Sequence, residues 1–197
     1  MKSYPVINNR KIRVAIIGCG RISKNHFDSI EKNKKDIELV SICDDDQSVL
    51  TVHEKKYNIK GYLDLVSMIE NVDLDLVVIC TPSGLHAEQT EMCSKKGINI
   101  MTEKPMATRW NDGIRMVKVC DQAGVRLFVV KQNRNNPTIK LLKRAIKENR
   151  FGKIHMVHLN VFWSRPQAYY DQAPWRGTWE FDGGALMNQA SHYIDLM

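Results

Sequence analysis

The sequence predicts a doubly wound α/β domain on a parallel sheet, followed by the start of a second domain with a strand of antiparallel type. Three observations predict it. From Lys11 to about Val130, short apolar runs of strand length alternate with longer amphipathic segments of helix length. A Gly-x-Gly turn, Gly18-Cys19-Gly20, joins the first run to the first segment. After Val130 the alternation stops and gives way to one helix and one long stretch of period two.

Each element follows in order. Residues 12–17, 37–43, 76–80, 98–101 and 125–130 are apolar enough for strands buried on both faces. Between and beside them, helices are expected over 22–33, 47–57, 63–70, 86–96 and 109–123. Gly97 and Gly124 stand where helices end on a left-handed residue. Beyond Val130, Ile139, Leu142 and Ile146 recur among Lys140, Lys143, Arg144 and Lys147, which predicts an amphipathic helix over 138–147 with a solvated basic face. Over 153–163, His155, Val157, Leu159, Val161 and Trp163 alternate with Ile154, Met156, His158, Asn160 and Phe162. That pattern predicts one long strand of an antiparallel sheet covered on one side. No later stretch offers a strand to pair with it, so the second domain is expected to be incomplete and the chain a fragment. Gly183 and Gly184 then open a last helix that places Asn188, His192 and Asp195 at i, i+4 and i+7 on one face. Leu186, Ala190, Tyr193 and Met197 form its opposite, packing face.

Composition narrows the function classes. A hydrophobic share of 43% and a charged share of 26% are those of a globular protein rather than a disordered one. No apolar run approaches the ~20 residues of a membrane span. The first ten residues lack the apolar core of a signal peptide, so a cytoplasmic location without a membrane partner is expected. The five cysteines are odd in number and show no C-x-x-C spacing, which favours buried reduced thiols over disulfides or a metal site. The net charge of +7 comes largely from the basic helix and its flanks. Without stacking aromatics or a known motif it predicts no nucleic-acid partner, but it suits steering of a polyanionic small molecule.

Candidate site residues lie at strand ends. Gly18 permits the tight turn and Gly20 lets the backbone approach a pyrophosphate; Arg21 and Ile22 follow at the helix start, and Ser23 replaces the usual third glycine. Asp44 ends the second strand, near the ~20 residues onward at which a carboxylate meets the adenine ribose. Asp45 is the alternative if the strand runs one residue longer. With Asp46, these acids disfavour a 2′-phosphate, so the expected cofactor is NAD. Thr81 and Pro82 follow one strand and Glu103 and Lys104 another, both at carboxyl ends where such sheets bind ligands. His86 begins the next helix, on the cofactor side. His26, His53, His155 and His158 read as surface or sheet residues.

Four segments together carry a family resemblance: G-C-G-R-I-S, T-P-S-G-L-H-A-E, E-K-P-M-A and G-G-A-L-M-N-Q-A-S-H-Y-I-D. In this order they resemble the glucose–fructose oxidoreductase/inositol dehydrogenase (Gfo/Idh/MocA) family. The resemblance implies a Rossmann domain over 1–130 and, over 131–197, a partial substrate domain of α+β type with an open, mainly antiparallel sheet. It also implies NAD-dependent oxidation of a sugar-like alcohol and, in a full-length protein, a homo-oligomer such as a tetramer. Within the family the chain is similar to the UDP-N-acetylglucosaminuronate 3-dehydrogenases of bacterial surface-polysaccharide pathways. The segments 130–137, 162–166 and 175–193 carry that likeness, including Asn188 where many members have aspartate.

By this resemblance Lys104 and His192 flank the reacting carbinol of a UDP-sugar. One of them takes the 3′-hydroxyl proton while the hydride passes to the nicotinamide, giving a 3-keto sugar. Glu103 contacts the nicotinamide ribose and Asn188 orients the sugar. Arg165 meets a carboxylate or phosphate, with Gln132, Tyr169 and Arg176 as further substrate contacts. Two other readings share these residues: a dehydrogenase of inositol or another sugar, and a non-catalytic NAD-binding sensor or inactive fragment.

Overall fold

Successive side chains of the first apolar run point to opposite sides of a sheet, and helices cover both sides. In the computed structural model, which describes Tyr4 and residues 6–197, the first half of the chain runs β1 (Ile12–Ile17), α1 (Ser23–Lys32), β2 (Ile37–Cys43), α2 (Gln47–Tyr57), β3 (Lys60–Tyr62) and α3 (Leu65–Asn71). It continues through β4 (Leu76–Ile79), α4 (His86–Lys95), β5 (Asn99–Thr102), α5 (Trp110–Ala123) and β6 (Leu127–Val129). Val14 and Ile16 pack against Phe27 of α1 and Leu50 of α2. Ala15 and Ile17 face the other way, towards Met68 of α3, Cys93 of α4 and Cys120 of α5. Helices on both faces explain why these strands are apolar throughout rather than alternating.

All strand pairs are parallel, in the order β3-β2-β1-β4-β5-β6. The winding reverses between β1 and β4, so the loops after these two strands leave the sheet in opposite directions and open a crevice at its carboxyl edge. The expected helices and strands lie within two residues of those observed in this half, with one addition. β3 has three residues at the sheet edge and is too short to display a period. Gly97 and Gly124 have φ of 74° and 69°, the left-handed conformation expected of them. All five cysteines are free and buried. Burial pushes the thiols of Cys19, Cys43 and Cys93 up to about 12, that of Cys120 to about 11, and that of Cys80 further.

After Val130 come α6 (Pro137–Lys147), α7 (Gln167–Tyr170), a π-helical turn (Leu186–Ala190) and α8 (Ser191–Ile194). Residues 153–163 form no strand, contrary to expectation. An extended segment becomes a strand by pairing its backbone, and no neighbour among the described residues pairs with this one. Its apolar side chains lie open, Met156 at 85% and Phe162 at 94% exposure. The last helix is also modified. Asn188, His192 and Asp195 do share the inner face, but Leu186 and Met197, expected to pack behind them, are each 70% exposed.

Candidate active site

The glycine turn is shaped by its neighbours. Gly18 has φ of 83°, and a Cβ there would stand 2.9 Å from the backbone of Cys80 and Thr81 at the end of β4. No side chain fits between the two strand ends. A Cβ on Gly20, by contrast, would meet nothing within 4 Å, so the backbone at the start of α1 stays approachable. Ser23, in the third-glycine position, is 1% exposed and its hydroxyl donates to the Gly20 carbonyl (2.6 Å). Serine is small enough for this packing and closes the turn as well.

Asp44 reaches back to the same turn. One carboxylate oxygen accepts from the Cys19 N–H (2.6 Å) and the other from the Asp46 N–H (3.0 Å). Gly18, Asp44, Asp45, Asp64, Thr81 and Gln89 line a cleft of about 150 Å³ on this side. Three carboxylates around one cleft repel a 2′-phosphate, and Asp44 still has acceptor capacity for ribose hydroxyls. The residues present therefore fit NAD.

Thr81 also borders a second cleft of about 450 Å³, lined further by Gly20, Arg21, Ile22, Glu103, Lys104, Gln132, Tyr169, Trp175, Arg176 and Asn188. Its floor is the loop after β5. Glu103 is 7% exposed; its Oε1 lies 2.8 Å from His26 Nε2, and its Oε2 accepts from the Lys104 N–H (3.2 Å). His26, read from the sequence as a surface residue, is thus a partner of Glu103. It sits one residue before the buried Phe27, and helical spacing did not reveal which strand end it would meet. The Lys104–Pro105 peptide is cis.

Lys104 points across the cleft to the last helix. Its Nζ donates to the Asn188 backbone oxygen (2.8 Å) and side-chain oxygen (3.0 Å). Asn188 Nδ2 in turn donates to Asp182, whose other oxygen accepts from the Gly177 N–H (2.9 Å). Burial pulls the Lys104 pKa below the ordinary lysine value, against the opposing pull of Glu103 and Asp182. The π-helical turn carries Asn188 and directs both its oxygens to one side. Such turns recur where a helix must present an unusual set of groups.

His192 is 5% exposed, and its Nδ1 is buried without a hydrogen-bond partner. Burial lowers its pKa, and the nearby Lys104 and Lys131 lower it further. It is not among the residues that line this cleft. His86, expected on the cofactor side, is 1% exposed. Its ring nitrogens lie 2.9 Å from the Pro105 oxygen and 3.0 Å from the Thr81 oxygen. Burial lowers its pKa as well, and a neutral ring donates to only one of these carbonyls. It lies between the loop after β4 and the loop after β5, donates to one of them, and lines neither cleft. Pro82 begins the turn Ser83–Leu85 and lies outside both linings.

Three guanidiniums surround Tyr169, which lines the larger cleft together with two of them, Arg21 and Arg176. Arg176 lies 4.6 Å, Arg165 4.9 Å and Arg21 5.9 Å from the ring centroid. Arg165 also stacks on Trp163 (3.9 Å) and donates to Gln189 (3.1 Å). Among the described residues none of the three pairs with a carboxylate. Sequence reasoning named all three but missed Asp182 and Trp175, because nothing in their spacing ties them to Lys104 or to the arginines.

A sheet that reverses its winding beside an open glycine turn, with acids on one side and a lysine on the other, defines a dinucleotide-binding α/β protein of the oxidoreductase class. Residues 12–131 match the Gfo/Idh/MocA oxidoreductase family with its NAD-binding Rossmann fold, and residues 139–197 match that family's C-terminal domain. The chain belongs to this family. It is similar to the crystal structure of the WlbA dehydrogenase from Chromobacterium violaceum in complex with NADH and UDP-GlcNAcA. That likeness has a TM-score of 0.97 and 56% identity over 100% of this chain and 57% of that one. For the WlbA dehydrogenase from Bordetella pertussis, in complex with the same two ligands, the values are 0.94 and 54%, over 97% and 55%. Myo-inositol 2-dehydrogenase from Thermotoga maritima is 30% identical over 186 residues, 94% of this chain and 53% of the relative. The chain spans a little over half the length of each.

Proposed function

We propose that this chain carries the NAD-binding domain and much of the catalytic cleft of a UDP-N-acetylglucosaminuronate 3-dehydrogenase. NAD, when bound, takes the hydride from the sugar's C3. Asp44 receives the adenine ribose, the Gly18–Gly20 turn receives the pyrophosphate and Glu103 contacts the nicotinamide ribose. Lys104 takes the proton of the 3′-hydroxyl, and the product is the 3-keto sugar. The observation that carries this reading is the Lys104 amine. It is half-buried, lowered in pKa and held by two acceptors of one residue in the lining of the cleft. A group poised below its ordinary pKa in a cleft is suited to proton transfer.

The three unpaired guanidiniums around Tyr169 support a polyanionic substrate, because a diphosphate and a carboxylate each accept paired N–H donors. The likeness to two proteins crystallised with NADH and UDP-GlcNAcA supports the same substrate. No helix among the described residues is long and apolar enough to cross a membrane. A cytoplasmic reaction in a homo-oligomer belongs to this proposal.

The test is NADH formation from a panel containing UDP-N-acetylglucosaminuronate, UDP-N-acetylglucosamine and myo-inositol. The UDP-uronate is expected to be oxidised and the other two not. Oxidation of inositol without oxidation of the UDP-uronate overturns the substrate. NAD binding with no turnover of any of them leaves a sensor or a partial enzyme.

A further inference from the structure

Asp182 lines neither cleft, yet it is 4% exposed and both its oxygens are hydrogen-bonded. One carboxylate oxygen accepts from the Gly177 N–H and the other from the Asn188 side chain. The consequence lies in Asn188. An asparagine amide can turn over, exchanging its NH2 and its oxygen. Here a carboxylate, which only accepts, sits at one end of the amide and a lysine amine at the other. The NH2 must face Asp182 and the oxygen must face Lys104.

We propose that Asp182 is a positioning residue for Lys104, acting by fixing the Asn188 amide with its oxygen towards Nζ, and that this pairing is why the site takes an amide at 188. With the backbone oxygen of Asn188, the fixed amide engages two of the directions around Nζ and leaves another for the cleft that Lys104 lines. An aspartate at 188 would set two carboxylates at hydrogen-bond distance, where one must hold a proton. The charged and titratable groups acting on Lys104 include Glu103, Asp182, Lys131 and Arg165, with His192 close by. The proposal rests on the reading of Lys104 as the proton acceptor.

The substitutions have defined polarity. In Asp182→Asn the new side chain uses its oxygen for Gly177 and presents NH2 to Asn188. Asn188 must then turn over and direct its own NH2 at Lys104. Asn188→Asp opposes two acids. The double variant Asp182→Asn/Asn188→Asp restores the order of donors and acceptors, with a carboxylate now facing Lys104.

Turnover, the Kd for NAD and the thermal midpoint are measured for each variant. The Lys104 titration is followed through its ¹³C-labelled ε-carbon, which needs no turnover. In both single variants kcat is expected to fall about tenfold or more, as for loss of an aligned proton acceptor, with NAD affinity within about twofold of the parent. Asp182→Asn lowers the Lys104 pKa, and the double variant raises it, with a kcat that exceeds that of either single variant when read at pH values above the Lys104 limb. An unmoved Lys104 titration in Asp182→Asn, or a double variant no better than the worse single one, overturns the proposal. If a single variant does not fold, the double variant and the titration decide. Full turnover in Lys104→Met overturns the underlying reading instead. An inactive Lys104→Met beside a fully active Asp182→Asn overturns the positioning role alone.

Discussion

The family resemblance implies Lys104 and His192 alike as proton acceptors, and their surroundings differ. Lys104 lines the cleft, whereas His192 is not part of its lining and has its pKa lowered by burial and by Lys104 and Lys131. Lys104→Met is expected to reduce kcat by about 10²-fold or more while NAD still binds. Only the neutral amine accepts a proton, so turnover should rise with pH. Burial moves the limb below the ordinary lysine value of 10.5. A limb below the ordinary histidine value of 6.5 would assign the step to His192 instead. Asp44 gives a second test. Asp44→Ala should weaken NAD binding about tenfold, equivalent to about 1.4 kcal/mol, and reduce the preference for NAD over NADP. Calorimetric titration with both nucleotides measures this, and unchanged affinity removes the ribose assignment.

At the scale of elements, one contact joins the C-terminal segment to the Rossmann domain. Gly84, in the turn after β4, donates its N–H to the Phe181 oxygen (3.2 Å). A Cβ there would stand 2.5 Å from the Glu180 oxygen, which also accepts from the Thr108 hydroxyl. Gly84→Ala must therefore push back the segment that carries Asp182. Overpacking of this kind typically costs about 1–3 kcal/mol. The expected result is a lower thermal midpoint and a kcat reduced more than the NAD affinity. An unchanged kcat would mean that the segment adjusts without disturbing Lys104. The strand ends bearing Thr81 and Lys104, the glycine turn and Asp44 all followed from alternation and spacing. Asp182 and His26 did not, because their partners are 6 and 77 residues away along the chain and meet them only through packing.

At the scale of the whole molecule, Asp75 anchors the amino edge of the sheet. Its carboxylate accepts from Arg10 (2.5 and 2.7 Å) and from the Arg13 N–H (2.8 Å), and its backbone oxygen accepts from Asn99. The Arg10 guanidinium holds its pKa down at about 2, against an ordinary 3.8. A carboxylate with a depressed folded-state pKa stabilises the fold above its unfolded value, and that contribution fades as pH falls. Asp75→Asn should therefore lower the thermal midpoint at neutral pH. The difference from the parent should shrink as pH drops through 3.8 towards 2. A difference independent of pH would show that the contact is steric rather than ionic.

The sequence by itself determined the parallel sheet, the covering of both its faces and the strand ends at which chemistry gathers. These follow from local quantities: the period of apolar residues, the freedom of glycine and the places where helices begin and stop. Only the tertiary structure decided that Lys104 lines the cleft, that its amine donates to Asn188, that His192 is buried with an unpartnered Nδ1, and that residues 153–163 form no strand. Each of those outcomes depends on which groups meet across long stretches of chain. A hydrogen bond or a strand pairing exists only when both partners are in place, and the spacing of one partner says nothing about where the other arrives.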